Sequence, residues 1–140
     1  MLRPRSIKEI AERKKAGTQS FDAAVREFID TWQLMHSEAW LSAIEDEPPP
    51  IDPLRDSYLG ALAEHLALSE KLQAPAWTEH SSRFLSEPYF AGGLESLKAT
   101  LLVESPLAFR RRLIFISANA LSRPHQPEEL IDTNGLQPIN

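Results

Sequence analysis

Three consecutive arginines, Arg110, Arg111 and Arg112, stand in the most apolar part of this 140-residue chain, with "LLVESPLAF" before them and "LIFIS" after. A guanidinium is a planar fork of donors suited to carboxylate or phosphate, so a run of them is the first candidate for binding work. On a helix the three spread over about 200° of the circumference, so they cannot all face a core. In one reading they lie at the rim of the core and pair with acids of the same chain, Asp30 or Glu104 for example. In the other they present donors to a partner, and Arg111→Ala or Arg112→Ala would weaken partner binding more than the fold. A second candidate is the acidic cluster Glu45, Asp46 and Glu47, followed by three prolines. A hard-cation loop needs glycine and alternating ligands, which this stretch lacks, so it reads as a solvated helix end, mildly opposed by the helix dipole and prone to fray. Both clusters are carried forward as partner-binding residues.

The other reactive side chains form no constellation. His36, His65, His80 and His125 lack chelating spacing, and the two Glu-His pairs, Glu64–His65 and Glu79–His80, point about 100° apart on a helix. With no cysteine there is no thiolate nucleophile and no Cys-based zinc site. Gly92–Gly93 lacks the context of a phosphate loop and reads as a turn. Ser105, Ser117 and Ser122 have no nucleophile elbow around them. The expectation is a protein that is not an enzyme and uses no cofactor and no metal.

Charge is divided unevenly. Residues 1–17 hold six Lys/Arg against two Glu, residues 18–104 five against fifteen acids, residues 105–124 four arginines and no acid, and residues 125–140 three acids. The balances +4, -10, +4 and -3 sum to the net charge of -5. An acidic middle bracketed by basic segments fits a partner of mixed charge, or basic ends folded back on the acidic body. Hydrophobic residues make up 42% of the chain, enough for one core. No apolar run reaches the ~18 residues of a membrane span and the first residues lack a signal-peptide core, so a cytoplasmic protein is expected.

These residues must be positioned by helices. Ser6 with Glu9 is a capping box and Gly17 a stop, bounding a short helix with thin apolar content that needs a surface to lie on. Thr18 or Ser20 opens the clearest helix, with Phe21, Val25, Phe28, Trp32 and Met35 in one stripe. "SEAWLSAIEDE" reads as a helix with Trp40, Leu41 and Ile44 inward, broken by "EPPPIDP". From Leu54 to about Leu72 the helical pattern resumes, with Tyr58, Leu59, Leu62, Leu66 and Leu72 on one side, Asp56, Glu64 and Glu70 on the other, and Pro75 ending it. A loop follows, pinned by Trp77, Phe84, Tyr89 and Phe90, with a short helix near Ser81–Leu85. "LESLKATLLVE" is a short helix. Ser105–Pro106 signals an N-cap with proline at the first position of a helix running to about Arg112. "LIFIS" suits a short buried strand near 113–117 as well as a helix continuation. The fold class is mostly α, a compact helical bundle over residues 1–124 with a loose tail over 125–140.

Residues 75–124 also carry a resemblance. Pro75–Trp77–Thr78, Phe84–Leu85 and the block Leu101–Arg123 resemble the C-terminal region of small bacterial proteins encoded beside nucleotidyltransferase-type toxins of the abortive-infection class. Several such relatives have an N-terminal helix-turn-helix domain, and residues 1–60 here offer none. The resemblance implies an antitoxin, or toxin-associated component, that binds and neutralises a cognate nucleotidyltransferase by direct contact. An acidic body docking on a basic active-site surface would exclude substrate. The alternative is a nucleic-acid-binding regulator using Arg3, Arg5, Lys8, Arg13–Lys15 and Arg110–Arg112 on phosphates, with affinity falling steeply with salt.

Overall fold

A computed structural model describes residues 2–91, 101, 102 and 104–121, apart from the side chains of residues 118 and 119. Most of the helix expected at "LESLKATLLVE", the Gly92–Gly93 turn, Ser122, His125 and the expected tail over 125–140 lie outside the described residues. What is described is mainly helical. The first helix, α1, spans Ile7–Ala16. The Ser6 hydroxyl accepts from the Glu9 amide, and the Glu9 carboxylate reaches back to the Arg5 amide at 3.0 Å, one residue beyond the usual capping-box partner. Gly17 closes the helix at φ 76°, with its own amide and that of Thr18 bonding carbonyls of the last turn. Ile7, Ile10 and Ala11 are fully buried, so the surface this helix needs is α2, against which it packs.

The second helix, α2, spans Phe21–Leu34 and is capped by Ser20. Its stripe is buried as the spacing predicts: Phe21, Val25, Phe28 and Trp32, with Ala24 and Ile29 beside them. The third, α3, spans Ser37–Ile44. Ile44 and Ala43 are buried and Trp40 stacks on Trp32 at 5.6 Å. Leu41, expected inward, is exposed instead. Trp40, Ala43 and Ile44 already fill the inward face, and Leu41 falls about 100° round from Trp40. At the end of α3, where fraying was expected, the Trp77 indole donates to the Ile44 carbonyl at 3.0 Å in a buried position and satisfies one of the carbonyls the helix end leaves open. Prolines 48–50 then run extended, and the buried Pro48 seats this segment on the core.

The fourth helix, α4, spans Pro53–Ser69, with Pro53 in the first turn and Asp52 as cap. It ends before Leu72. The Leu72 amide bonds to the Ala67 carbonyl and the Lys71 amide to that of Leu68, a Schellman closure with Lys71 at φ 61°. Pro75 is therefore not the terminator. The helix is buried almost all round from Asp56 to Ala67, and this overturns the two-sided pattern expected for it. Asp56 and Glu64 lie inside, because the chain beyond residue 75 wraps the face that sequence alone assigns to solvent.

That wrapping is done by short elements. Two turns of 3-10 helix, Ala76–Glu79 and Ser81–Arg83, and a further helix α5, Leu107–Arg110, all pack on α4. Strand β1, Tyr89–Phe90, pairs in parallel with β2, Ile114–Phe115, and Phe90 stacks on Phe115 at 4.9 Å. The ambiguous "LIFIS" thus contributes a short strand. The chain enters it through Leu113 at φ 63°, which stops the helix before Arg112. Ser105 does not cap α5. Its hydroxyl accepts from the Ile116 amide at 2.8 Å and donates to the Leu101 carbonyl at 2.6 Å, stapling the segment before α5 to the end of β2. A final 3-10 turn runs Ala118–Leu121.

Candidate functional site

Along α4, Asp56, Gly60 and Glu64 follow at steps of four residues and so share one face. Two arginines from the later chain lie across it. Both are buried, Arg112 completely and Arg83 at 2% exposure. Gly60 is what admits them. A methyl group at that position would stand 3.0 Å from the Arg83 Cβ and 3.3 Å from the Arg112 Nε, closer than packed atoms normally approach.

Arg112 donates to Glu64 Oε1 at 2.5 Å, to the Thr78 carbonyl at 2.7 Å and to the Ala108 carbonyl at 2.8 Å, while its guanidinium lies 4.4 Å from the centre of the Phe84 ring. Burial pulls its pKa down and the Glu64 carboxylate pulls it back, yet an arginine stays charged under either influence. Arg111 lies beside it at the surface, its side chain 35% exposed. One nitrogen reaches both oxygens of Glu64, at 2.8 and 2.7 Å, and a second reaches Glu79 at 2.9 Å. The Arg111 hydrogen bond in turn holds the Glu79 carboxyl below the usual carboxylate range. One carboxylate therefore takes two guanidiniums, and Phe84 covers both.

The second group is built the same way. Arg83 donates to the Pro48 carbonyl at 2.9 Å, to Glu47 at 3.2 Å and to the Asp56 carbonyl at 3.3 Å, with the Trp77 ring 4.9 Å away. Asp56 accepts from the Ile51 amide at 2.7 Å. His80 approaches the same Glu47 oxygen at 3.2 Å. Arg83 and Arg112 each keep one buried Nε without a partner, so these side chains are held by their terminal nitrogens and by packing.

The six residues expected to bind a partner therefore divide. Arg112 lies in the interior, not at the rim, and has no accessible surface for a partner to touch. The acids that hold Arg111 and Arg112 are Glu64 of α4 and Glu79 of the 76–79 turn, and not the Asp30 or Glu104 that sequence proximity and charge suggested. Glu47 is exposed but already held by Arg83 and His80. The remaining three, Arg110, Glu45 and Asp46, are exposed, and the structure gives their side chains no ion pair or hydrogen bond among the described residues. The structure does not bring them together with the arginine pair. Glu45 and Asp46 continue the outer face of α3, where Glu38 and the half-exposed Leu41 stand at helical spacing from Glu45.

Sequence reasoning passed over Arg83, named Thr78 only within the resemblance, and put Asp56 and Glu64 on the outer side of α4 and not in a site. The regular Asp56–Gly60–Glu64 step was a readable signal, since a glycine between two acids on one helix face marks close approach by something that pairs with them. Compared with family models, with curated proteins and with solved structures, the chain matches none.

Proposed function

We propose that this chain is a cytoplasmic antitoxin-like component that binds a nucleotidyltransferase-type toxin by direct protein contact, using the outward acidic face of α3. The observation that carries the reading is the contrast between two kinds of acid. Glu47, Asp56, Glu64 and Glu79 are engaged by arginines of the same chain, whereas Glu38, Glu45 and Asp46 are exposed near Leu41 with no cation of their own among the described residues. An exposed leucine ringed by unpaired carboxylates is suited to a basic surface with an apolar centre, such as surrounds a site that handles nucleotides or tRNA. The sequence resemblance of residues 101–123 supplies the partner class. Within that block Ser105, Phe109, Arg112, Ile114 and Ile116 are buried, so its buried residues hold the fold and leave recognition to outward groups.

The basic segments lend less to a nucleic-acid role. Arg13 is bonded to Glu9 and Gln19, Lys15 to the Pro50 carbonyl, Arg111 to two glutamates, and Arg112 is enclosed. Arg3, Arg5, Lys8 and Arg110 remain outward, and of these Arg3 and Arg5 share one concavity whose lining includes neither Lys8 nor Arg110.

The test is co-expression with the neighbouring open reading frame, affinity purification of this chain and identification of what it retains. Recovery of a nucleotidyltransferase whose growth arrest is relieved, with both effects lost in Glu45→Lys/Asp46→Lys at unchanged melting temperature, is the expected result. Recovery of nucleic acid alone, with salt-sensitive binding, would replace this reading with the regulator.

A further inference from the structure

Leu2 and Leu34 are the two most exposed large apolar side chains among the described residues, at 82% and 77%. They lie on the same concavity, of about 340 Å³, lined by Leu2, Arg3, Arg5, Thr31, Leu34 and Met35. Single exposed leucines are ordinary, but two of them with a methionine in one hollow form an apolar floor of the kind that marks a contact surface. The walls are basic. Arg3 has no ion-pair partner, Arg5 bonds Glu9 through its backbone amide, and no carboxylate lines the hollow, all among the described residues. What fits such a site is an apolar side chain flanked by acids.

The molecule carries that counterpart itself. The outer face of α3 presents Glu38, Leu41, Glu45 and Asp46, a leucine among carboxylates. Hollow and face are also consecutive in the chain, since Met35 lines the hollow, His36 precedes α3 and Glu38 lies in its first turn. An α3 on the same rigid body cannot turn back into the hollow it adjoins, whereas that of a second copy can. Two adjacent complementary patches are what a two-fold interface requires, because each copy then offers one patch and receives the other.

We propose that this chain forms a symmetric dimer in which the Glu38–Leu41–Glu45 face of each copy seats in the Leu2–Arg3–Leu34 hollow of the other. The dimer covers the acidic face assigned above to a basic partner, so self-association and partner binding exclude one another. The inference does not depend on the toxin reading, since it concerns the purified chain alone.

Sedimentation equilibrium on two charge-reversed variants tests it. The first is Arg3→Glu/Arg5→Glu and the second Glu45→Lys/Asp46→Lys, with melting curves to show that each folds. The native chain is expected at twice its 15.8 kDa mass, shifting to the monomer at high salt. Each variant alone is expected as a monomer, and an equimolar mixture as a dimer again, because both exchanged contacts regain opposite charges. A native chain that stays monomeric at the highest soluble concentration would overturn the proposal. So would a dimer indifferent to both variants. A monomer that instead takes up an acidic leucine-bearing peptide through Arg3 and Leu34 would give the hollow to a foreign partner and equally overturn it.

Discussion

At the scale of single residues the arginine run separates into three side chains with three fates, and each predicts a different outcome on mutation. Removing Arg112 leaves Glu64 with only the half-exposed Arg111 and strands the Thr78 and Ala108 carbonyls. Breaking one side of a buried pair typically costs about 3–5 kcal/mol. Arg112→Ala is expected to lose that much in denaturant unfolding, a large part of the roughly 5–15 kcal/mol a domain of this size possesses. Arg111→Ala, more exposed and paired partly with the exposed Glu79, is expected to lose about 1 kcal/mol or less, and Arg110→Ala nothing measurable. Equal losses at all three positions would show that the enclosure of Arg112 has no energetic consequence. These fates were not legible in the run itself. Adjacent positions on a helix differ by about 100°, which says that the three must diverge and not which one goes inward. That choice was made 48 residues earlier, by Glu64.

At the scale of elements, local signals were read well and enclosure was not. The limits of α1 and the buried stripe of α2 follow from caps and spacing, both of which act within a few residues. Leu41 and the acids of α4 were misassigned because apolar periodicity assumes one wet face. α4 has almost none, once the 76–83 segment and α5 have closed over it. Its C-terminal closure carries a further prediction. Lys71 occupies the left-handed position that glycine fills at the end of α1, and an L side chain there bears a backbone cost of about 1 kcal/mol. Lys71 is exposed, so no packing is lost with it. Lys71→Gly should raise stability by about 0.5–1 kcal/mol in urea titration, and a destabilised variant would contradict the Schellman assignment. Gly17→Ala should act in the opposite sense by a similar amount.

At the scale of the whole molecule, stability should depend on pH through groups that folding makes reluctant to bind protons. His65 is half-buried beside the Phe109 ring, 6.2 Å between centres, and burial lowers its pKa below the ordinary 6.5. The unfolded chain then binds the proton more readily than the folded one, so stability is complete above pH 6.5 and declines as pH falls below it towards the lowered value. His65→Gln should flatten the melting temperature in that window. An unchanged slope would assign the loss to other groups. Below pH 4.5 a second decline is expected, as Glu79, held low by Arg111, takes up its proton. The charge pattern of the whole chain was legible as an acidic body between basic ends. The folded structure divides it further, into charges closed on one another around Gly60 and charges left outward on α3 and beside Leu2.

The enclosure of α4 also sets an order of events at the ribosome. Asp56 and Glu64 are synthesised well before the arginines that neutralise them, and the 48 residues from Glu64 to Arg112 take about 2–10 s to add at ordinary elongation rates. Within that interval Arg83 and the 76–83 segment emerge to cover the Asp56 end of α4, while Glu64 waits for Arg111 and Arg112. A message broken before codon 112 would therefore yield a polypeptide with α1 to α4 but without the buried guanidinium that Glu64 requires. Completion of this fold is a property of its last quarter, and a premature stop there would be read by the cell's proteases as a failure of the whole.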